Sequence, residues 1–234
     1  MARGENYVRA VQTPPTGAAS AVYLTLATQV LSLGALVVFE QVRGRSLAGQ
    51  IAALGREARA SETVVGAVTV FAVLMMLLAG TTLAAAIAYL TWLIRARQTS
   101  TPATPAGPVL AAWLVPGVNL IAPFLVADET WRNARPPFDR RGRWLALLGA
   151  WWLACLATVF MVGARLLDTG SGELTGLGVP ELGVTMLAAV LCGWTVRDIT
   201  TIQRSLHAAA SVRRPVPPVR HIVISAEEAA IRRS

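Results

Sequence analysis

Four runs of apolar residues, each close to or above the length needed to cross a bilayer, constrain what this chain can fold into. They occupy residues 18–39, 63–94, 144–167 and 181–196. A membrane helix needs about 20 mostly apolar residues, and it satisfies all of its backbone polar groups internally. Because 54% of the 234 residues are hydrophobic and only 15% are charged, a water-soluble domain is excluded. We therefore expect an all-α, polytopic transmembrane helix bundle.

The polar ends of the chain set the limits of the membrane domain. Residues 1–17 are polar and contain a Pro-Pro pair, which predicts a disordered leader. The following apolar run is too long for the core of a cleavable signal, so we expect it to remain as the first span. Residues 18–210 form the predicted transmembrane helical domain. Residues 211–234 form a Pro-rich, basic cytoplasmic tail. Between the first two runs, residues 44–60 predict either an amphipathic surface helix or a solvated connector.

A further apolar segment, residues 109–134, begins its motif at Trp113 and is interrupted by Pro116, Asn119 and Pro123. Proline removes a backbone donor and clashes with the preceding helical turn, so an uninterrupted helix is not expected here. Irregular backbone at membrane depth survives only where protein covers it or where it lines a cavity. We therefore predict four spans plus a proline-broken re-entrant or interfacial helical segment, with five spans as the alternative. This segment is the first candidate for a functional motif.

The distribution of arginine does not choose between four and five spans. All 21 basic residues are arginine, and either topology places 16 of them on one face and five on the other. Four tryptophans close to arginines favour one headgroup-level belt and therefore four spans, namely Trp92, Trp131, Trp144 and Trp194. We expect a multi-pass protein of the cell (plasma) membrane with both termini cytoplasmic. The net charge of +8 then reflects topology, and nucleic acid is not expected as a partner.

Charged residues in the second half of the broken segment extend the candidate motif. Asp128, Glu129, Trp131 and Arg132 follow Pro123 with a helical rhythm. Carboxylates near a membrane edge suggest a proton relay or a cation site. The simpler alternative is a local ion pair to Arg132, from Asp128 at i,i+4 or from Glu129 at i,i+3.

Polar residues elsewhere leave similar choices open. Asn119 either bonds carbonyls freed by the proline breaks or lines a polar path. Arg95, Arg197 and Asp198 at the ends of the second and last runs are secondary candidates. Arginines at helix ends also extend routinely to the headgroups, which is the simpler interpretation.

Small residues recur at a spacing of four in two of the spans: Gly80, Ala84 and Ala88, and Ala146, Ala150, Ala154 and Thr158. Such ridges allow close helix contact in lipid. They predict that these two helices meet each other or a second copy.

The broken segment also carries a family resemblance. Its pattern Trp-x-x-Pro-x-x-Asn-x-x-x-Pro spans residues 113–123 and is followed by Glu129 and Trp131. Together with the ends of the neighbouring spans, it resembles an uncharacterised family of actinobacterial integral membrane proteins known as domain of unknown function 4328. The resemblance covers roughly residues 20–205. It implies a membrane location and no established activity.

No catalytic residue, cofactor or metal site is predicted. His207 and His221 lie outside the apolar runs, whereas Cys155 and Cys192 lie singly within them, and no nucleophile is grouped with a base. We therefore expect a non-enzymatic scaffold, accessory or regulatory membrane component. Its partners would be the lipid bilayer and a membrane protein or a second copy. The alternative is a small transporter or channel whose broken segment lines a polar path.

Overall fold

The computed structural model describes residues 14–44, 46, 49, 62–167 and 175–212, and helices dominate these residues. Most of the connector 44–60, of the tail 211–234 and of the leader 1–17 lies outside the described part of the chain. The helices are α1 Thr16–Phe39, α2 Glu62–Ser100, α3 Gly107–Leu114, α4 Ala122–Asn133, α5 Arg141–Leu167 and α6 Val179–Val212. A π-helical stretch, Glu40–Gly44, extends α1.

Four segments are long and apolar enough to cross a membrane: Thr16–Gly44, Val65–Ser100, Arg141–Arg165 and Val179–Ser211. The prediction of an all-α bundle with four spans is confirmed. Residues 107–133 do not form a fifth span. They fold instead into two short helices, α3 and α4, which double back on each other. We call this unit the hairpin.

The second span is longer than its apolar run predicts. Helix α2 contains 39 residues, or about 58 Å at 1.5 Å per residue, against a hydrocarbon core of roughly 30 Å. It continues through Gly80 without a break and ends at Ser100, because the chain next enters the proline-rich linker. The helix therefore has to tilt within the bilayer or protrude from it.

Helices α1 and α6 form the centre of the bundle. Helix α2 packs on α1, α5 packs on α6, and α1 packs on α6. In the most apolar window of α6, 39% of the residues are buried, compared with 6% in α2. Within that window, α2 is therefore mostly exposed at the surface of the bundle, whereas its C-terminal part is buried from Tyr89 onward.

The small-residue ridges do not join α2 to α5 within one molecule. Gly80 and Ala84 on α2 are exposed, as are Ala146 and Ala150 on α5. The hairpin packs against α2 on one side and α5 on the other. It thereby fills the space in which the two ridges would have met.

Both described ends of the chain lie at the same end of the bundle. The Trp92 indole on α2 donates a hydrogen bond to the Thr200 hydroxyl on α6 over 3.2 Å, and the Gln203 amide donates to the Ala96 carbonyl over 2.7 Å. The first turn of α1 faces the same part of α6 across a groove that Arg204 also lines.

We call this the basic end, because it holds nine of the eleven described arginines. They are Arg95, Arg97, Arg132, Arg135, Arg140, Arg141, Arg143, Arg197 and Arg204. The other two described arginines, Arg43 and Arg165, lie at the opposite end. There the Arg165 Nε donates to the buried Glu181 carboxylate over 3.0 Å.

Candidate functional site: the re-entrant hairpin

Prolines and one glycine shape the hairpin. Pro108 lies in the first turn of α3, where its missing N–H removes no helical bond. Val115, directly before Pro116, takes an extended conformation with φ −85° and ψ 117° and thereby ends α3. Gly117 has φ 81°, a left-handed conformation that glycine adopts without strain. Pro123 then lies in the first turn of α4, so the predicted interruption of the helix at Pro116 and Pro123 is confirmed.

The tip of the hairpin reaches into the bundle from the basic end. The Trp113 ring centroid lies 5.4 Å from that of Tyr89 on α2 and 5.8 Å from that of Trp152 on α5. The Trp152 indole donates to the Leu120 carbonyl over 2.8 Å, which satisfies one irregular backbone group. Trp152 is eleven residues after Arg141, or about 16 Å along α5. The tip therefore lies about 16 Å along α5 from the level of the hairpin base.

The base of the hairpin is fixed by the Asp128 carboxylate. Arg141 donates to it in a bidentate manner, over 2.5 Å to Oδ1 and 2.9 Å to Oδ2. The Trp144 indole donates to Oδ1 over 3.0 Å, and the Arg132 Nε lies 3.2 Å from Oδ2. The predicted i,i+4 ion pair of Asp128 with Arg132 is confirmed. The bidentate pair links α4 to the first turn of α5. Its two parallel N–H···O bonds fix the relative orientation of the two side chains and add to the energy of the interaction.

These contacts also set the charge state of Asp128. Burial raises the pKa of this carboxyl group, but the hydrogen bonds from Arg141 and Trp144 and the charges of Arg141 and Arg132 outweigh it. The net result is a pKa below the usual range of an aspartate. Asp128 is therefore ionised at neutral pH, and all of its strong donors come from the protein itself.

Trp131 ties the same helix to α6. Its ring stacks on that of Trp144 with the centroids 5.2 Å apart and the planes 5° from parallel. Its indole donates to the Asp198 carboxylate over 2.9 Å, while the Arg141 guanidinium lies 5.5 Å from its ring centroid. The predicted residues Asp128, Trp131 and Asp198 thus belong to one connected network.

Glu129 provides the tie to α2. Its carboxylate accepts a hydrogen bond from Arg97 Nη2 over 2.9 Å, and the Arg97 side chain is 8% exposed against 45% for Glu129. The alternative i,i+3 pair of Glu129 with Arg132 is not formed, because Arg132 is engaged by Asp128. Helix α4 is therefore bonded to α2, α5 and α6 through three neighbouring side chains.

Three of the predicted polar residues lie outside this network. Asn119 is exposed at the tip, and its side chain makes no hydrogen bond to another described residue; its backbone N–H donates to the Val115 carbonyl over 3.1 Å. Arg95 is exposed on α2 and lines a groove beside Pro14 and Thr16. Arg197 is exposed on α6, next in sequence to the bonded Asp198.

The main partners that sequence reasoning missed are Arg97, Arg141 and Trp144. Each lies at the end of an apolar run, where arginine and tryptophan ordinarily face the headgroups. The sequence places these residues near a span end at the same face as Asp128. Several other arginines share that position, so the sequence does not single out the partners of Asp128. Tyr89 and Trp152 were missed because they belong to the spans and not to the motif.

The network is suited to holding a helix in place. Its two central carboxylates are ion-paired, and Trp113, Tyr89, Trp151 and Trp152 pack together beneath it. Among the described residues there is no group of three or more His, Cys, Asp or Glu side chains that could hold a metal ion. The geometry therefore provides rigidity at the base of the hairpin, and the apolar tip remains exposed.

Four membrane-length helices with a helical hairpin between two of them define a polytopic α-helical membrane fold. The profile of the family Domain of unknown function (DUF4328) matches residues 51–201, more than half of the chain. The chain belongs to this family, which confirms the resemblance inferred from the sequence. No curated protein and no solved structure matches the chain significantly.

Proposed function

We propose that the protein is a non-enzymatic integral membrane protein that acts by contact, as a scaffold, accessory or regulatory component. The observation that carries this proposal is the contrast between the two ends of the hairpin. The base is bonded to three helices, whereas the tip exposes apolar side chains, with Leu114 at 70% and Ile121 at 66%. A rigid element with an exposed apolar tip is suited to docking an apolar segment of another membrane protein.

The location of the hairpin supports this role. Its tip lies about 16 Å below the start of α5, where the apolar neighbours are acyl chains or other membrane helices. The residues of the Val115–Ile121 turn lie at that depth and are exposed. Irregular backbone in that position gains from being covered by protein.

We further propose that the protein resides in the cell (plasma) membrane with the basic end in the cytoplasm. Nine of the eleven described arginines lie at that end, and cytoplasmic loops are enriched in arginine. Both termini are then cytoplasmic. At this level the arginines meet lipid headgroups and need no nucleic-acid partner.

The alternative of a small transporter or channel has less support. A transport path along the hairpin requires carboxylates that face a polar cavity. Asp128 and Glu129 are instead ion-paired with Arg141 and Arg97. The aromatic side chains around Trp113 occupy the depth at which a path would continue.

Photo-crosslinking in native membranes tests the contact function. A photoreactive phenylalanine analogue is placed at Ile121 on the tip and, as a matched control, at Phe160 on α5, which is 77% exposed. We expect a discrete protein adduct from position 121 and none from position 160. An adduct of twice the monomer mass would identify a second copy as the partner. Absence of any protein adduct at position 121, in a chain that is inserted and folded, would contradict the proposal.

A further inference from the structure

Three arginines that have no carboxylate partner among the described residues line a groove at the basic end. Arg140, Arg143 and Arg197 are exposed, and none of them forms an ion pair or side-chain hydrogen bond with another described residue. The groove lies between α5 and α6 and has a volume of about 670 Å³. We call it the basic groove.

The basic groove has an excess of positive charge. Its one acidic side chain, Asp198, already accepts a hydrogen bond from Trp131. Arg141 is directed away to Asp128 and is not among the residues that line the groove. The three remaining guanidinium groups match the oxygens of a phosphate, which arginine binds with planar, paired N–H donors.

A second groove continues from the same place toward the middle of the bundle. It lies between α1 and α6, has a volume of about 560 Å³ and is lined mainly by apolar side chains, including Leu26, Val30, Met186 and Val190. We call it the apolar groove. From Arg197 to Met186 it follows eleven residues of α6, or about 16 Å. That is close to the depth of one leaflet of a hydrocarbon core about 30 Å thick.

Trp194 and Arg197 line both grooves. Trp194 is 56% exposed on the outer face of α6, at the level where tryptophan rings lie among headgroups. A single molecule that straddles Trp194 would place a charged head in the basic groove and an aliphatic chain in the apolar groove. The two grooves together therefore have the shape and polarity of a phospholipid.

We propose that these grooves form a specific site for an anionic glycerophospholipid whose headgroup carries a phosphodiester and no compensating cation. The phosphate lies between Arg143 and Arg197, with Arg140 adding to the field, and one acyl chain follows the apolar groove. Basic pockets between membrane helices recognise anionic headgroups in this way. This site is separate from the tip of the hairpin and does not depend on the contact function.

The test uses the full chain in nanodiscs that contain equal amounts of phosphatidylglycerol and phosphatidylcholine. Retained lipid is counted by native mass spectrometry after release from the disc. The wild type is expected to retain phosphatidylglycerol in preference to phosphatidylcholine. In the variant Arg143→Gln/Arg197→Gln, binding of phosphatidylglycerol is expected to weaken about 30-fold, or about fivefold for each arginine.

Matched variants separate the site from general electrostatics. Arg95→Gln/Arg135→Gln removes the same charge from the same end of the bundle, but neither residue lines either groove. This control is expected to retain the wild-type preference. The proposal is overturned if both double variants lose phosphatidylglycerol equally, or if Arg143→Gln/Arg197→Gln retains it while remaining folded.

A third variant tests the acyl chain. Ala27 lines the apolar groove and is exposed, so Ala27→Trp should fill the groove without disturbing the core. We expect it to weaken binding of long-chain phosphatidylglycerol and to leave binding of a six-carbon-chain analogue unchanged. If inorganic phosphate displaces the long-chain lipid at millimolar concentration, the site is a phosphate site only, and the lipid proposal fails.

Discussion

At the scale of single residues, Asp128 has the most demanding position in the hairpin. Its side chain is 9% exposed, accepts hydrogen bonds from Arg141 and Trp144, and forms an ion pair with Arg132. A buried charge costs several kcal/mol unless partners and hydrogen bonds offset that cost. The three donors come from α4 and α5, so the offset depends on the hairpin being docked. The charge of Asp128 therefore makes docking close to all-or-none.

Asp128→Asn is expected to destabilise the protein. The amide keeps the size of the side chain but leaves the guanidinium of Arg141 without its counter-charge. We expect a loss of about 2 kcal/mol, less than for a fully buried pair because Arg141 is 33% exposed. The measurement is the melting temperature in detergent. Asp139→Asn is the control, since Asp139 is exposed and forms no ion pair with a described residue; an equal loss in both variants would contradict the role of Asp128.

The lowered pKa of Asp128 predicts how this stabilisation depends on pH. A carboxyl group whose folded-state pKa lies below its unfolded value stabilises the fold above the unfolded value, about 3.9, and this contribution is lost as pH falls through the folded pKa. The stability difference between the wild type and Asp128→Asn should therefore be constant from pH 5 to 8 and should shrink below about pH 4. Melting temperatures of both proteins across this range test it. A difference that grows on acidification would contradict the assignment.

At the scale of elements, the hairpin is defined by where its two helices stop and start. Pro116 ends α3, Gly117 reverses the chain, and Pro123 begins α4. The turn between them is irregular, and its position under the Trp152 indole fixes how deeply the hairpin inserts. A change in the turn should therefore affect docking before it affects the four spans.

Gly117→Ala tests this dependence. At φ 81° an added Cβ is strained even though open space surrounds it, and we expect a cost of about 1–2 kcal/mol. Gly80→Ala is the matched control, because Gly80 is helical and its added Cβ also meets open space; it should be neutral or stabilising by up to about 1 kcal/mol. Melting temperatures distinguish the two variants. Equal behaviour would show that the left-handed turn is not required.

The sequence predicted the parts of this element that are local. Prolines limit the backbone of their immediate neighbours, so the interruption at Pro116 and Pro123 was predictable, as was the i,i+4 pair of Asp128 with Arg132. The remaining contacts join residues far apart: Asp128 to Arg141, Glu129 to Arg97 and Trp131 to Asp198 lie 13, 32 and 67 positions apart. With 21 arginines in the chain, a carboxylate has many possible partners, and only the three-dimensional packing selects one.

At the scale of the whole molecule, charge is distributed asymmetrically along the bundle, with nine of the eleven described arginines at the basic end. The number of spans could be predicted from hydrophobic length alone, but which helices pack against one another could not. Small-residue spacing predicted that α2 and α5 meet each other or a second copy; within the molecule the hairpin packs against both helices, and they touch through Tyr89 and Trp151 and not through the ridges. Its insertion there depends on its own tryptophans and charges, which the ridge pattern ignores. The common location of the two described ends, by contrast, follows directly from an even number of spans.

Topology can be tested by tagging both ends of the chain. With four spans and a re-entrant hairpin, reporters fused to the two termini should indicate the same face. Since the basic end carries the described ends of α1 and α6, that face should be the cytoplasm. A phosphatase or fluorescent-protein fusion at each end provides the measurement. Reporters on opposite faces would rule out the four-span topology.

Because the hairpin enters from one end only, the described molecule has a different cross-section in each half of the bilayer. Near the basic end, six helices displace lipid; near the opposite end, four do. Such a molecule is tapered, and the surrounding lipids have to pack against a larger protein perimeter in one leaflet than in the other. The protein should therefore favour membrane regions whose curvature relieves that mismatch.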